Sequence, residues 1–383
     1  MKYRILLVSH SSEVSGAPRA LLYIASSLSR DAFDLFLCAP EAGGIAAEAE
    51  KNGIPVKIIP NPQIGFNEER NPLKKLKILY KRLCFIRNFR REVKKGRYDL
   101  IYMNSSASFY AGIALLGLKV RTIWHIHEDL NPNFLNRLKA RLIAKSAVRI
   151  VFVSPSNIPC FAPYLSNKKY QITPNGVQIE KIERFSIDEE YRRLFNYNPE
   201  DRIIGMISFI SRRKGVDIFL KALSRILPEY PRIKGVIAGD KNNADSRYLD
   251  ELDMLLQIPE LKDHAFFPGH CANIPSFLNS VEIFVLPSRN DPMPLVLLEA
   301  MAAGKAIVAA DVGCVREMLD PPNAGVVVPP ENPEMIAEEV LKLLNDPDKR
   351  TQMGQNARER ARQRYSMETF RRKIDMLIED ALR

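Results

Sequence analysis

EIFVLPSRNDPMPLVLLEAMAAGKAIVAA, residues 282–310, decides the fold. The apolar run IFVL reads as a buried strand that Pro287 and Ser288 end. A polar loop follows, carrying Asp291, Pro292 and Pro294. An apolar helix begins near Leu295 and is closed at Gly304, a residue that tolerates the left-handed conformation of a helix end. AIVAA then reads as a second buried strand. Strand, loop, helix and strand in so short a span make a βαβ unit, which implies a parallel sheet covered by helices. One acid, Glu299, sits in that helix. A core helix has no need of it there; a ligand site does.

Working outward, the same alternation runs through the chain. Toward the N-terminus lie the strand-like runs YRILLVS, FDLFLCAP, PVKIIP, DLIYMN, RTIWHIH, RIVFVS and YQITPNGV. Helical patterns separate most of them, among them APRALLYIASSLS, Phe109–Leu116 and Phe134–Ser146. The second half continues with RIIGMIS, IKGVIAGD, HAFFPG and AGVVVPP, with the helix GVDIFLKALSRIL after the first and two helices at the end. Alternating elements of this kind give doubly wound α/β domains. At 383 residues the chain is long enough for two. We place the first at 1–185 and the second at 186–365, the boundary falling in the charged, turn-rich stretch FSIDEEYRRLFNYNPED. Two such domains leave a central cleft at the carboxyl ends of their strands, where ligands bind by rule.

Composition narrows the partners. The formal charge is +11, which favours anionic ligands: nucleotides, nucleic acids or acidic membrane surfaces. Five dispersed cysteines without a CxxC pair argue against a disulfide framework and a zinc site, and suit a reducing cytosol. MKYRILLVSHSS reads as a first strand rather than a leader. The longest uncharged run, Leu100 to Leu118, is broken by Asn104, three serines and two glycines, so it does not span a membrane. DKNNAD, residues 240–245, does not make a convincing metal loop, and no metal site is expected.

The segment 71–99 carries eleven Lys/Arg and, before Asp99, one Glu. Leu76, Leu79, Leu83, Ile86, Phe89 and Val93 recur at helical steps, which predicts a basic amphipathic helix. Its apolar face packs on its own domain or lies on an anionic membrane, and the two are compatible.

The first turn of the helix at Leu295 leaves backbone N–H groups without partners, and the helix dipole adds partial positive charge there. That end suits a diphosphate. Glu299, about one turn in, can reach hydroxyls of a ribose attached to the phosphate, and Asp291 can accept hydrogen bonds from sugar hydroxyls. The same spacing also suits a plain arrangement in which Asp291 caps the helix and Glu299 is solvated.

Acid, seven residues, then Glu-Ala-Met-Ala-Ala-Gly resembles the signature of the family 4 retaining glycosyltransferases. These have the GT-B fold, two Rossmann-like domains facing a central cleft. Asp291 stands where the family has its first Glu, and Asp291-Pro292-Met293-Pro294 is similar to the family's loop. SRRKGVDIFLKAL (211–223) resembles its phosphate-binding Lys-Gly segment. The resemblance implies that Lys214 contacts the donor diphosphate. Phe209 stands where the family usually has Arg, so Arg212 or Arg213 is the expected substitute. Ser15-Gly16-Ala17 resembles the family's glycine turn near the donor phosphate. WHIHED (124–129) resembles its His-acid pair, His127-Glu128 fitting best, with His125 two residues away. TPNGV, IAGD, GCVREM and HAFFPG are softer matches.

The resemblance implies a metal-independent hexosyltransferase that uses no cofactor. It moves a sugar, with retention, from a UDP- or GDP-linked donor to a hydroxyl of a glycan or lipid-linked acceptor. His127 and Asp291 are the expected catalytic residues. Gly16, Arg213, Lys214, Met293, Pro294, Leu295, Val296 and Glu299 are the expected donor-binding set. The second domain takes the donor, the first the acceptor, and the final helix, 366–383, packs back on the first. The expected place is the cytoplasm, with peripheral contact at the inner face of the cell membrane. The competing readings are a nucleotide-sugar epimerase or a phosphorylase of the same fold, and a basic nucleic-acid-binding protein. One Trp and the lack of a stacking motif speak against the last.

Overall fold

Each expected apolar run forms a strand, and each strand joins a parallel sheet. The computed structural model describes residues 2–14, 16–61, 71–166, 169–183, 197–198, 200–241, 244–271, 273–320 and 323–383. Ser15, the boundary at 185/186 and the middle of DKNNAD lie outside the described residues. The chain divides into two compact units, Met1–Asn175 with Met367–Arg383, and Gly176–Ser366.

The first unit holds seven strands among the described residues, in the order β3-β2-β1-β4-β5-β6-β7. They are β1 (Tyr3–Val8), β2 (Phe33–Ala39), β3 (Val56–Ile58), β4 (Leu100–Asn104), β5 (Arg121–Ile126), β6 (Arg149–Phe152) and β7 (Tyr170–Ile172). Helices α1 (Gly16–Ser27), α2 (Gly44–Lys51), α3 (Pro72–Gly96), α4 (Phe109–Leu115) and α5 (Phe134–Ser146) connect them. On one face, Phe85 and Phe89 of α3 pack with Trp124, Ile143 and Phe152. On the other, Leu21 and Ile24 of α1 pack with Ile5, Leu7 and Leu35.

The second unit begins with α6 (Ile179–Glu183). Its sheet, six strands among the described residues, runs β10-β9-β8-β11-β12-β13. The strands are β8 (Arg202–Ile207), β9 (Ile233–Ala238), β10 (Ala265–Gly269), β11 (Ile283–Leu286), β12 (Ala306–Ala310) and β13 (Val326–Val328). The helices are α7 (Val216–Ile226), α8 (Ser246–Leu256), α9 (Pro259–Lys262), α10 (Ile274–Ser280), α11 (Leu295–Ala302), α12 (Val315–Leu319), α13 (Pro333–Asn345) and α14 (Pro347–Tyr365). The opening stretch is therefore β11, α11 and β12, and β11 and β12 pair in parallel. In both sheets strand order reverses beside the first strand, between β1 and β4 and between β8 and β11. These switch points are where ligands bind in doubly wound folds.

The last helix, α15 (Met367–Leu382), belongs to the first unit. Its Phe370, Ile374, Leu377 and Ile378 join the core with Leu7, Leu21 and Leu37. Arg149 forms an ion pair with Asp380 on its outer side.

One expectation is corrected in part. Of the expected face of α3, Phe89 and Val93 are buried and Ile86 half-buried, but Leu76, Leu79 and Leu83 are exposed, and Ile78 and Phe85 are buried in their place. Two apolar stripes interleave along this helix. Packing selects the one with Phe85 and Phe89, whose stacked rings lie 5.6 Å apart, because aromatic rings bury the larger area.

Candidate active site

In the second unit, three loops meet at the switch point. The first follows β8 and carries a 3-10 turn, Arg212–Lys214. The second, residues 287–294, follows β11, and the third, 311–314, follows β12. Close backbone approach holds them together. Gly215 has φ +72, and a Cβ there would lie 2.0 Å from the Pro287 carbonyl oxygen. Gly313 has φ +55, and its Cβ would lie 2.2 Å from the Asp291 carbonyl oxygen. Only glycine fits either place. The Cys314 N–H donates to Pro292 O at 3.0 Å, closing the third loop on the second.

Lys214 and Asp291 form an ion pair across the switch point, both side chains nearly buried. Arg213 joins them, its Nη1 4.0 Å from Asp291 Oδ1 and 3.1 Å from the Asn290 carbonyl oxygen. Arg212 turns the other way, pairing with Glu251 and lying over the Tyr248 ring. Of the two candidates for the family's arginine, Arg213 is thus the one beside Lys214. Helix α11 starts directly after this cluster. Its cap is Pro294, which supplies no side-chain acceptor for the first-turn amides of Leu295 and Val296. Met293 and Glu299 are buried. The plain arrangement fails on both counts: Asp291 pairs with Lys214 rather than capping the helix, and Glu299 is not solvated.

A second layer supports these loops. Arg289 Nη1 and Nη2 donate to the two carboxylate oxygens of Asp217, each at 2.8 Å. The same guanidinium reaches the Arg212 carbonyl oxygen at 2.8 Å and Glu331 at 2.7 Å. The Arg289 N–H donates to Arg213 O at 2.8 Å. One side chain therefore staples the Lys214 turn to the loop of Asp291. Burial pushes the Asp217 carboxyl up, but Arg289 and the Tyr248 hydroxyl outweigh it and hold it below its ordinary range. Sequence reading passed over Arg289 and Asp217. The signal is present: Asp217 stands between Val216 and Ile218 in a buried helix start, and a buried acid needs a cation.

In the first unit, the switch point gathers polar side chains from the ends of β1, β4 and β5. His127 Nε2 lies 2.9 Å from Asn104 Oδ1. Asn104 Nδ2 donates to the Ala17 carbonyl oxygen at 2.8 Å, which fixes the amide orientation. His127 therefore carries its proton on Nε2 and leaves Nδ1 as an acceptor. Through Asn104 the turn at Gly16, φ +47, is tied to His127. His125 is fully buried, and its Nδ1 meets the Tyr102 hydroxyl at 2.8 Å. Its ring lies 4.3 Å from that of His127. Of the two histidines, only His127 reaches the surface.

Glu128 accepts hydrogen bonds from the Ser105 hydroxyl and, at 3.1 Å, from the Ser106 N–H. Ser105 is held at φ +91, a strained conformation for a residue with a side chain. Burial lowers the His127 ring to about 4, against an opposing pull from Glu128, and lowers His10 and His125 as well. Burial works against the Glu128 carboxylate; His127, Ser105 and Ser106 outweigh it. All three imidazoles are neutral at pH 7. Asn104, Ser105 and His10 are further additions to the expected set, and the polar run after DLIYM marks the first two.

The acids of DKNNAD have partners within the protein. Asp245 of DKNNAD caps α8, accepting from Arg247 N at 2.9 Å, and Asp240 faces His270 at 3.2 Å. Among the described residues no group of three or more His, Cys, Asp or Glu is placed to hold a metal.

Two family models match this chain, Glycosyltransferase Family 4 over residues 14–181 and Glycosyl transferases group 1 over residues 187–360. The chain belongs to the family 4 glycosyltransferases. This family 4 chain is 27% identical over 170 residues to the lipopolysaccharide core biosynthesis mannosyltransferase LpcC of Rhizobium leguminosarum bv. viciae, covering 44% of this chain and 48% of that one. To the mannosyltransferase LpsB of Rhizobium meliloti (strain 1021) it is 24% identical over 282 residues, 68% of this chain and 80% of that one. Among solved structures it resembles Anabaena Alr3699/HepE in complex with UDP-glucose, with a TM-score of 0.82 at 22% identity, over 98% of this chain and 99% of that one. The fold of the family 4 enzymes, GT-B, is thereby established for it.

Proposed function

We propose that this protein transfers a sugar from a nucleoside diphosphate sugar to an acceptor hydroxyl, with retention at the anomeric carbon. The observation that carries the reading is the Lys214–Asp291 pair beside the start of α11, at the switch point of the second unit. The diphosphate lies against Lys214, Arg213 and the first-turn amides of α11, flanked by Met293, Pro294, Leu295 and Val296. Those cations and amides offset the charge that builds on the leaving phosphate, so no metal is required. Glu299 orients the ribose and Asp291 holds the donor sugar. By the family resemblance, His127 of the first unit is assigned to catalysis and its Gly16 turn to donor binding. The bond from the anomeric carbon to the phosphate oxygen breaks. A bond to the acceptor oxygen forms on the same face, and the acceptor proton passes to the leaving phosphate.

UDP is favoured over GDP because HepE, similar in fold, is solved with UDP-glucose. The acceptor is a lipid-linked or polysaccharide-precursor glycan, a class supported by the names of LpcC, LpsB and the Staphylococcus aureus capsular polysaccharide glycosyltransferase CapM.

Thermal shift against a panel of UDP and GDP sugars tests the donor. A donor at 100 times its Kd should stabilise the chain by about 2.7 kcal/mol. Glu299→Ala should abolish that shift and the transfer without altering the circular dichroism spectrum. Full turnover by this variant, or release of a rearranged sugar from donor alone, would refute the assignment.

A further inference from the structure

Phe209 is a large apolar side chain that the fold leaves open at the switch point of the second unit, 45% exposed. Backbone register fixes the side of the sheet on which it stands. Arg202, Ser208 and Ile210 donate their N–H groups to the carbonyl oxygens of Arg232, Ala238 and Asp240, at 3.2, 2.9 and 3.0 Å. The pairing of β8 with β9 therefore continues to Ile210, past the end of the strand proper, and side chains alternate between faces that far. Even positions share one face: Ile204, Met206 and Ile210 pack with Val216 and Phe219 of α7. Odd positions share the other, where a Cβ on Gly205 would meet Val281 and Phe277 of the α10 region at 2.6 and 2.9 Å. Phe209 thus lies on the α10 face, beyond the buried Ile207.

Helix α10 packs in turn on α11. Each follows the carboxyl end of a strand, α10 after β10 and α11 after β11, so their first turns stand at the same edge of the sheet as Phe209. One exposed ring on a protein surface is ordinary. This one begins the loop that carries Arg213 and Lys214, on the face of the sheet where α11 presents its uncapped first-turn amides.

The anionic part of a donor is served by those cations and amides and gains nothing from a benzene ring. An apolar part does. A nucleoside diphosphate sugar offers two such parts, the base and the C–H face of the sugar. The ribose, and the base beyond it, follow Glu299, about one turn into α11. The sugar is held by Asp291, the ion-pair partner of Lys214, and Lys214 shares its loop with Phe209. A hexose carries its hydroxyls around its rim and C–H groups on its faces, and such a face buries well on an aromatic ring.

We infer that Phe209 is a specificity-determining residue of the donor site: one face of the transferred hexose packs on its ring, while Lys214 and Asp291 hold the polar side. This rests on the proposed function and adds the class of sugar, one with an unbroken C–H face. A bulky axial substituent on that face would lift the sugar off the ring.

Isothermal titration of the full chain separates sugar from nucleotide, with UDP-glucose and GDP-mannose measured against UDP and GDP. F209A should weaken the nucleotide sugar that binds by about tenfold, and its parent diphosphate by less than about twofold, because only the sugar loses buried apolar contact. F209Y keeps the flat ring and should bind as the wild type does. F209L keeps apolar bulk without the flat face; it should weaken the sugar by roughly threefold or more, and it carries the test if F209A melts early. Equal loss of nucleotide sugar and diphosphate would set the ring against the nucleoside and overturn the inference. So would a wild type that binds the nucleotide sugar together with F209A and F209L variants that bind it equally well; this result leaves the transfer reading intact. A wild type that binds none of these ligands refutes the proposed function itself, and the inference falls with it.

Discussion

His10, His125 and His127 enter the fold as neutral rings, and this carries a pH cost with a definite sign. Unfolded, each titrates near 6.5. Folded, burial lowers all three, His127 to about 4. Below about 6.5 the unfolded chain binds more protons than the native one, so stability falls as pH falls from there toward 4. His127 alone contributes at most about 3 kcal/mol to that fall. Melting temperatures between pH 7 and pH 4 should drop steeply, and less steeply in His127→Gln, which cannot titrate. A slope unchanged by the substitution would show that other groups carry the effect. Residues at this scale were legible where the pattern is local: Lys214 lies beside Gly215, and Asp291 is eight positions from Glu299. The sequence left His125 and His127 as alternatives because both point to one side of a strand. Depth separates them, and depth depends on what covers the strand end.

At the scale of elements, the loops after β8 and β11 act as one piece because Arg289 joins them. Its partner Asp217 is fully buried. Removing the guanidinium leaves that carboxylate with Tyr248 and a Lys221 ammonium 3.7 Å away. Arg289→Ala should cost about 3 kcal/mol, near the lower end for breaking a buried pair. The cost should shrink sharply in the background Asp217→Asn, where no charge is stranded. Denaturant melts of the four proteins measure both quantities, and equal costs in the two backgrounds would dissolve the staple. This pair was hidden because its members stand 72 positions apart and only the sheet brings them together. Strands were the easiest elements to read, being short apolar runs between turn residues. Helix α3 was read as a helix, and its buried side was read at Phe89 and Val93 but not in its first three turns. Two stripes of similar hydrophobicity ran along it, and only the aromatic pair Phe85 and Phe89 tipped the choice.

For the whole molecule, the alternation of strand and helix was enough to give two parallel sheets. The strand orders, reversing beside β1 and β8, were beyond it, since local pattern carries no record of which strands become neighbours. The two units have separate cores, and the first is discontinuous: the chain leaves it at Asn175 and returns at Met367. Calorimetry should resolve two transitions. Deleting residues 367–383 strips Phe370, Ile374, Leu377 and Ile378 from the first core and should abolish one transition while the other persists. A single transition, lost as a whole on that deletion, would mean that the units do not melt separately. The order of synthesis follows from the same return. When the first 175 residues have left the ribosome, Ile5, Leu21 and Leu35 still lack the helix that will cover them. That helix is translated only after every residue of the second unit. The half of the chain made first is thus the half finished last, and its greasy flank stays open to chaperones for as long as the ribosome takes to make the other.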